Sequence, residues 1–145
     1  MVKLKREDNL FILIALGLIL FDQITKYFIR TLMEQGQSLP LINNILHITY
    51  VQNTGIAFGL FQNTTLLLVW FSLIVLGLLF YFYDKIDFIP RTLIAAGIIG
   101  NLLDRIFLRF VVDFIDFRIW PAFNVADSCL TIGVILLIIF ILKKK

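Results

Sequence analysis

An all-α integral membrane protein, with four transmembrane helices and a small β element at the outer surface, is the fold class predicted by these 145 residues. Composition is the first reason. Hydrophobic residues make up 60% of the chain and charged residues 16%, where a soluble domain is roughly half apolar and a quarter charged. Arrangement is the second. Residues 10–21, 66–83, 92–103 and 129–142 form four blocks without a single charge. A membrane span needs about 20 mainly apolar residues, so the second block qualifies alone, and the others qualify with polar residues admitted at one end. The third reason is the placement of the basic residues. Lys3, Lys5 and Arg6 precede the first block, Lys85 and Arg91 separate the second and third, and Lys143, Lys144 and Lys145 follow the fourth. Alternate block ends thus share eight of the thirteen basic residues, which predicts cytoplasmic termini and a cytoplasmic middle loop. The net charge of +3 therefore marks topology. No basic patch interleaved with aromatics points to nucleic acid.

The first helix is predicted over about 9–28. Its basic start and apolar core resemble a signal peptide, but Phe21, Asp22 and Gln23 follow in place of small residues, so a retained helix is expected. Residues 30–64 are extracytoplasmic. They contain "ILHITYVQNTG", β-branched and closed by the turn signal Asn53-Thr54-Gly55, and read as a strand and a loop. Helices follow over about 65–83 and 90–107, the latter with Pro90 suited to a first turn. Residues 110–123 return to the outer side. In "VVDFIDFRI", Asp113, Ile115, Phe117 and Ile119 share one face at period two, opposite Phe114, Asp116 and Arg118, so a second strand is expected and Asp116 is assigned to the surface. The fourth helix is predicted over about 125–142. No repeat or linker divides the chain, and residues 1–145 read as one membrane-embedded domain.

The polar residues are not scattered. At ~1.5 Å per helical residue, Asp22 lies ~21 Å from Asp8, Asp104 ~20 Å from Arg91, and Asp127 ~24 Å from Lys143. Three helices of alternating direction thus place a carboxylate in the outer third of a ~30 Å hydrocarbon core. Charges at that depth face a bundle interior or a wet cavity, so these helices are expected to converge there. Each residue also has a plainer reading. Asp22 and Lys26, four apart, make a favourable ion pair on one helix face. Asn101 and Asp104 share a face and suit a supporting role, while Arg105 could reach lipid headgroups. Asn124 could cap the fourth helix, with Asp127 favoured in its first turn.

Asp113, flanked by apolar residues, weakens that plainer reading of Asp127. A partly buried carboxyl holds its proton more tightly, and two close carboxyls share one. One can then act as base on water while the other protonates a carbonyl oxygen, which is the chemistry of aspartic proteases. His47, the only histidine, allows a Ser-His-Asp triad at one place only and excludes a multi-histidine metal site; a structural role in an outer strand is preferred. Cys129, the only cysteine, permits no intrachain disulfide and reads as a small buried hydrophobe. No cofactor or metal is expected.

Over nearly its whole length the chain resembles the bacterial lipoprotein signal peptidase family, also called signal peptidase II. The resemblance rests on "DQITK" (22–26), "NTGIAF" (53–58), "GNLLDR" (100–105), "VVDFIDF" (111–117) and "FNVADS" (123–128), met in the family's order. It implies an intramembrane aspartyl protease of the bacterial inner membrane, active near the extracytoplasmic face. Such an enzyme removes the signal peptide from diacylglyceryl-modified prolipoproteins, just before the lipidated cysteine, and is inhibited by the cyclic peptide globomycin. Residue by residue, it implies a catalytic dyad of Asp113 and Asp127. Asn53, Gly55, Asn101, Asp104, Arg105 and Asn124 would line or support the pocket, with Asp22 and Lys26 as the first helix's pair. The amides of Asn53, Asn101 and Asn124 would suit an extended substrate backbone. The chain departs from the family pattern at three places. Arg109 replaces the glycine usual four residues before the first catalytic Asp, so the turn there is expected to differ. Ile56 replaces a common alanine. The stretch from Asp113 to Asn124 is short.

Two other functions compete on the residues alone. A proton-coupled carrier or channel would use intramembrane carboxylates at one depth, but the polar residues gather near the outer side only. A structural subunit would use polar residues to hold helices together, which leaves the outer carboxylate pair without a purpose.

Overall fold

The computed structural model describes residues 6–55 and 64–143. Ile56 and the basic residues Lys3, Lys5, Lys144 and Lys145 lie outside them. Along the chain come α1 (Arg6–Leu32), β1 (Ser38–Ile42), β2 (Leu46–Asn53), α2 (Thr65–Tyr81), a 3-10 turn (Tyr83–Lys85), α3 (Phe88–Phe107), β3 (Val111–Asp116) and α4 (Val125–Lys143). The described chain is mostly helical, with one small three-stranded sheet. α1 overruns the predicted 9–28 at both ends. Glu7 and Asp8 in its first turn and Arg30 in its last suit the helix dipole, so nothing local stops it earlier. α2 ends two residues early, where the chain tightens into the 3-10 turn. α3 starts two residues early, its first backbone N–H bonded to the Asp87 carboxylate at 2.9 Å.

α3 is the centre, packed against α1, α2, α4 and β3. Small residues let α4 come close. A Cβ placed on Gly97 would lie 2.5 Å from the Ala126 carbonyl oxygen and 2.8 Å from the Leu130 nitrogen. Phe11, Leu79, Ile94, Ala95 and Ile98 form an apolar core. The outside is also apolar. Leu13 is 69% exposed while Asp22, on the same helix, is 1% exposed, the inversion that lipid favours and water does not. By length and composition α1 and α4 could cross a membrane; α2, at 17 residues, is shorter, and α3 carries charges.

The sheet is antiparallel in the order β1-β2-β3. β2 places Asn53 opposite Val111 and Val51 opposite Asp113. Beyond β3, Phe123 pairs back with Ile115, its N–H bonding the Ile115 carbonyl at 3.0 Å, which folds the chain over just before α4. β3 differs from the simple alternation expected. It stops at Asp116, ahead of Arg118 in a left-handed turn (φ 64°), and both its faces are covered. Asp116 is therefore buried, a correction to its surface assignment. Its carboxylate accepts from Thr49 Oγ1 at 2.8 Å and from the Arg118 backbone N–H and guanidinium at 2.8 and 3.0 Å. Burial raises its pKa, but these bonds outweigh it and hold the value below the usual carboxylate range. His47 lies in β2, its Nδ1 3.0 Å from Ser38 Oγ.

Arg109 answers the expected change in the turn after α3. Its φ of 71° is the left-handed conformation that glycine adopts most cheaply just past a helix end. A bulky residue sits in that turn.

Candidate active site

α4 begins at the site, and Asn124 is why. Its Oδ1 accepts from the Asp127 N–H at 2.8 Å, and the Asp127 Oδ2 accepts from the Asn124 N–H at 3.2 Å. The capping role considered for Asn124 is thus fulfilled, in reciprocal form. Its amide nitrogen does something else. It donates to Asp113 Oδ1 at 2.7 Å, with Asn101 Oδ1 at 3.1 Å and the Val112 carbonyl at 3.3 Å. One fully buried residue therefore touches both carboxyl groups, Asp113 through its side-chain nitrogen and Asp127 through its backbone N–H. Asn53 Nδ2 donates to the other oxygen of Asp113 at 2.9 Å, and its own Oδ1 receives the Gly55 N–H at 3.0 Å. Arg105 does not turn to the surface: its Nη2 donates to the Gly55 carbonyl at 3.3 Å. Asn53, Asn101 and Asn124 thus spend their amides on the carboxyl groups and on each other, which favours a supporting role over holding a substrate backbone.

Beneath lies a buried ionic cluster. Lys26 Nζ is 2.8 Å from Asp22 Oδ2, 3.1 Å from Asp104 Oδ2 and 2.9 Å from Asn101 Oδ1. Asp22 Oδ1 accepts the Ala126 N–H at 2.8 Å, and Asp104 Oδ2 the Val112 N–H at 3.0 Å. The carboxylates on α1 and α3 thereby fix the residues beside Asp127 and Asp113. Gln23 belongs here too. Its Nε2 reaches Asp22, the Gly100 carbonyl and Asp104 at 3.2, 3.1 and 3.1 Å. Sequence reasoning passed over it, although it stands inside "DQITK", because an amide beside a charged pair carries no separate signal.

Asp113 and Asp127 line one cleft of about 680 Å³, with Asn53, Asn101 and Arg105 at the polar end and apolar residues of α2, such as Leu68 and Phe71, along its length. Burial, and then the charge of Asp127, raise the Asp113 pKa to about 7. The cleft has the character of a hydrolytic site, with two carboxyl groups at the polar end of an apolar groove. Among the described residues no group of three or more metal-ligating acidic, cysteine or histidine side chains occurs.

A cleft with buried polar groups at one end, inside a bundle with an apolar exterior, is the arrangement of a membrane enzyme. Two solved structures, each described as a bacterial membrane enzyme determined by the in meso method, match this fold. One has a TM-score of 0.87 at 42% identity, covering 93% of this chain and 88% of the other; the second has 0.84 at 41%, covering 94% and 95%. Proteins named lipoprotein signal peptidase are similar in sequence. That of Halothermothrix orenii is 38% identical over 92% of this chain and 95% of its own, and that of Fusobacterium nucleatum 42% over 96% and 92%. The family described as signal peptidase (SPase) II matches residues 14–143, so the chain belongs to the signal peptidase II family and is a protease.

Proposed function

We propose that this chain is an aspartyl endopeptidase acting within the bacterial inner membrane, which removes the signal peptide from diacylglyceryl-modified prolipoproteins by cutting before the lipidated cysteine. Residues 1–145 act as one peptidase domain. Its four helices all span, both termini are cytoplasmic, and the dyad lies near the extracytoplasmic face. The observation that carries this reading is the pair Asp113 and Asp127, delivered by β3 and α4 to one cleft and bridged by Asn124, whose side-chain nitrogen bonds one carboxyl and whose backbone N–H bonds the other. The pair starts with one shared proton. Water's oxygen bonds to the scissile carbonyl carbon, its proton passes to the ionised carboxylate, and the other Asp protonates the carbonyl oxygen. On collapse the C–N bond breaks, the leaving nitrogen takes a proton from the dyad, and one hydroxyl proton of the intermediate returns. The dyad ends as it began. The apolar length of the cleft suits the diacylglyceryl chains, and a globomycin-type peptide would compete for the same space. A carrier would need a polar path inward, but α3 reads Leu93-Ile94-Ala95-Ala96-Gly97-Ile98-Ile99 below the site.

The test is cleavage of a lipidated prolipoprotein in detergent. Asp113→Asn and Asp127→Asn should each abolish turnover in protein that still inserts, since neither amide can exchange the proton. Asn53→Ala should lose roughly tenfold, the value of about one hydrogen bond at a buried site. Near-normal turnover in either Asp variant would refute the dyad.

A further inference from the structure

Lys26 touches no open part of the cleft: it is 3% exposed, with two carboxylates and an amide around it. We infer that Lys26 is a positioning residue for catalysis, acting through Asn101 to keep Asp127 the ionised member of the dyad; this rests on the dyad reading above. The proton directions leave one arrangement. An ammonium has three donors and no acceptor, and the three contacts of Nζ are Asp22, Asp104 and Asn101. The Asn101 atom facing it is therefore the oxygen. That turns the Asn101 nitrogen to Asp127 Oδ1, which it reaches at 2.7 Å. The orientation is fixed twice over, because the carboxylate end demands a donor as the ammonium end demands an acceptor. Asn124 adds a third constraint, its nitrogen donating to the same Asn101 oxygen.

The consequence is asymmetry. The charge of Lys26 polarises the amide it bonds, and that amide donates to Asp127, so the cation acts on Asp127 along a chain of two hydrogen bonds. Among the described residues Asp113 receives only the neutral amides of Asn53 and Asn124. The groups facing the relay are Asp22 on α1, Asp104 and Arg105 on α3, Asp113 on β3 and Asp127 on α4. Of these Arg105 is the one other cation whose charge reaches Asp127. Asp22 and Asp104 set two carboxylates against the one ammonium, and each also accepts a backbone N–H, from Ala126 and Val112; the atom that bonds the Asn101 oxygen is the ammonium, so the relay carries its polarisation to Asp127. Asp113 therefore holds the shared proton and donates it to the carbonyl, and Asp127 takes the proton from water.

The test is the pH profile of kcat in detergent-solubilised full-length enzyme, measured beside KM. Lys26→Gln should move the acid limb, where Asp127 must ionise, to higher pH by about one unit. It should lower kcat about tenfold on that limb while KM changes little. Lys26→Arg, which keeps the charge, should leave the limb nearer its original place. Lys26→Gln leaves Asp22 and Asp104 facing each other and can unfold, so Asn101→Leu is the second variant: it keeps the Asp22 and Asp104 ion pairs of Lys26 and cuts the relay. A folded Asn101→Leu enzyme with an unmoved acid limb overturns the proposal, as does a folded Lys26→Gln enzyme with one. Asp113→Asn measured alongside keeps the two readings apart: retained cleavage there sinks the dyad itself, whereas lost cleavage with unmoved limbs in the other variants sinks the relay alone.

Discussion

Asn124 performs two tasks that the residues alone set against each other. Capping α4 and bridging to Asp113 use different atoms of one amide, the oxygen for the helix and the nitrogen for the carboxylate. A sequence pattern shows the cap, because the spacing to Asp127 is local. The bridge depends on β3 arriving alongside, which only the fold decides. Asp113 also carries a pH prediction. Burial and the neighbouring charge raise its pKa to about 7, so it holds its proton below that value and loses it above. Cleavage efficiency should then fall as pH rises past about 7, approaching tenfold per unit, in a kcat/KM profile taken from about pH 5 to about pH 9. This alkaline limb belongs to the pair rather than to one residue. The folded-state pKa is raised, so the stability Asp113 contributes is complete below its unfolded value of about 3.9 and is lost as pH rises through about 7. A profile that stayed flat above neutrality would contradict the shared proton.

At the scale of elements, the helices and two strands of the sheet were legible, while β1 and the burial of β3 were not. Apolar blocks and the charges at their ends reveal helices whatever packs on them, and the observed ends differ from the predicted ones by at most four residues, where caps and turns decide. β3 was placed, but its burial was misjudged. Period two separates its faces only when one is wet, and here Thr49, Arg118 and the helices cover both. The closeness of α3 and α4 was equally hidden, since a glycine in an apolar helix reads as filler until its neighbour is known. Gly97→Ala should destabilise the protein by about 1–3 kcal/mol, because the added methyl meets the backbone of Ala126 and Leu130, which cannot step aside. Thermal melts in detergent would show it, and cleavage should drop too, since α4 carries Asp127. Gly17→Ala is the control. Nothing lies within 4 Å of its would-be Cβ, and alanine there should be neutral or stabilising by up to about 1 kcal/mol.

Over the whole molecule, the depth argument and the bonding agree. Residues judged level with one another from separate helices meet through Lys26, Asn101 and the Asp22 bond to α4. By the positive-inside rule, the basic block ends predict the orientation of the bundle. A reporter fused after Lys145 should be cytoplasmic, and one inserted in the turn at 35–38 should be outside. Opposite signals would put the carboxylates on the inner side and remove access to exported substrates. The bond from Asp22 to the Ala126 N–H joins residues 104 positions apart. During synthesis α1 therefore waits in the bilayer, its carboxylate paired with Lys26 but lacking that amide, until the last helix leaves the ribosome. With the dyad proposed above, a nascent chain has Asp113 without Asp127 and cannot cut anything beside it at the translocation channel. On that reading the chain gains its activity only when its own insertion is finished.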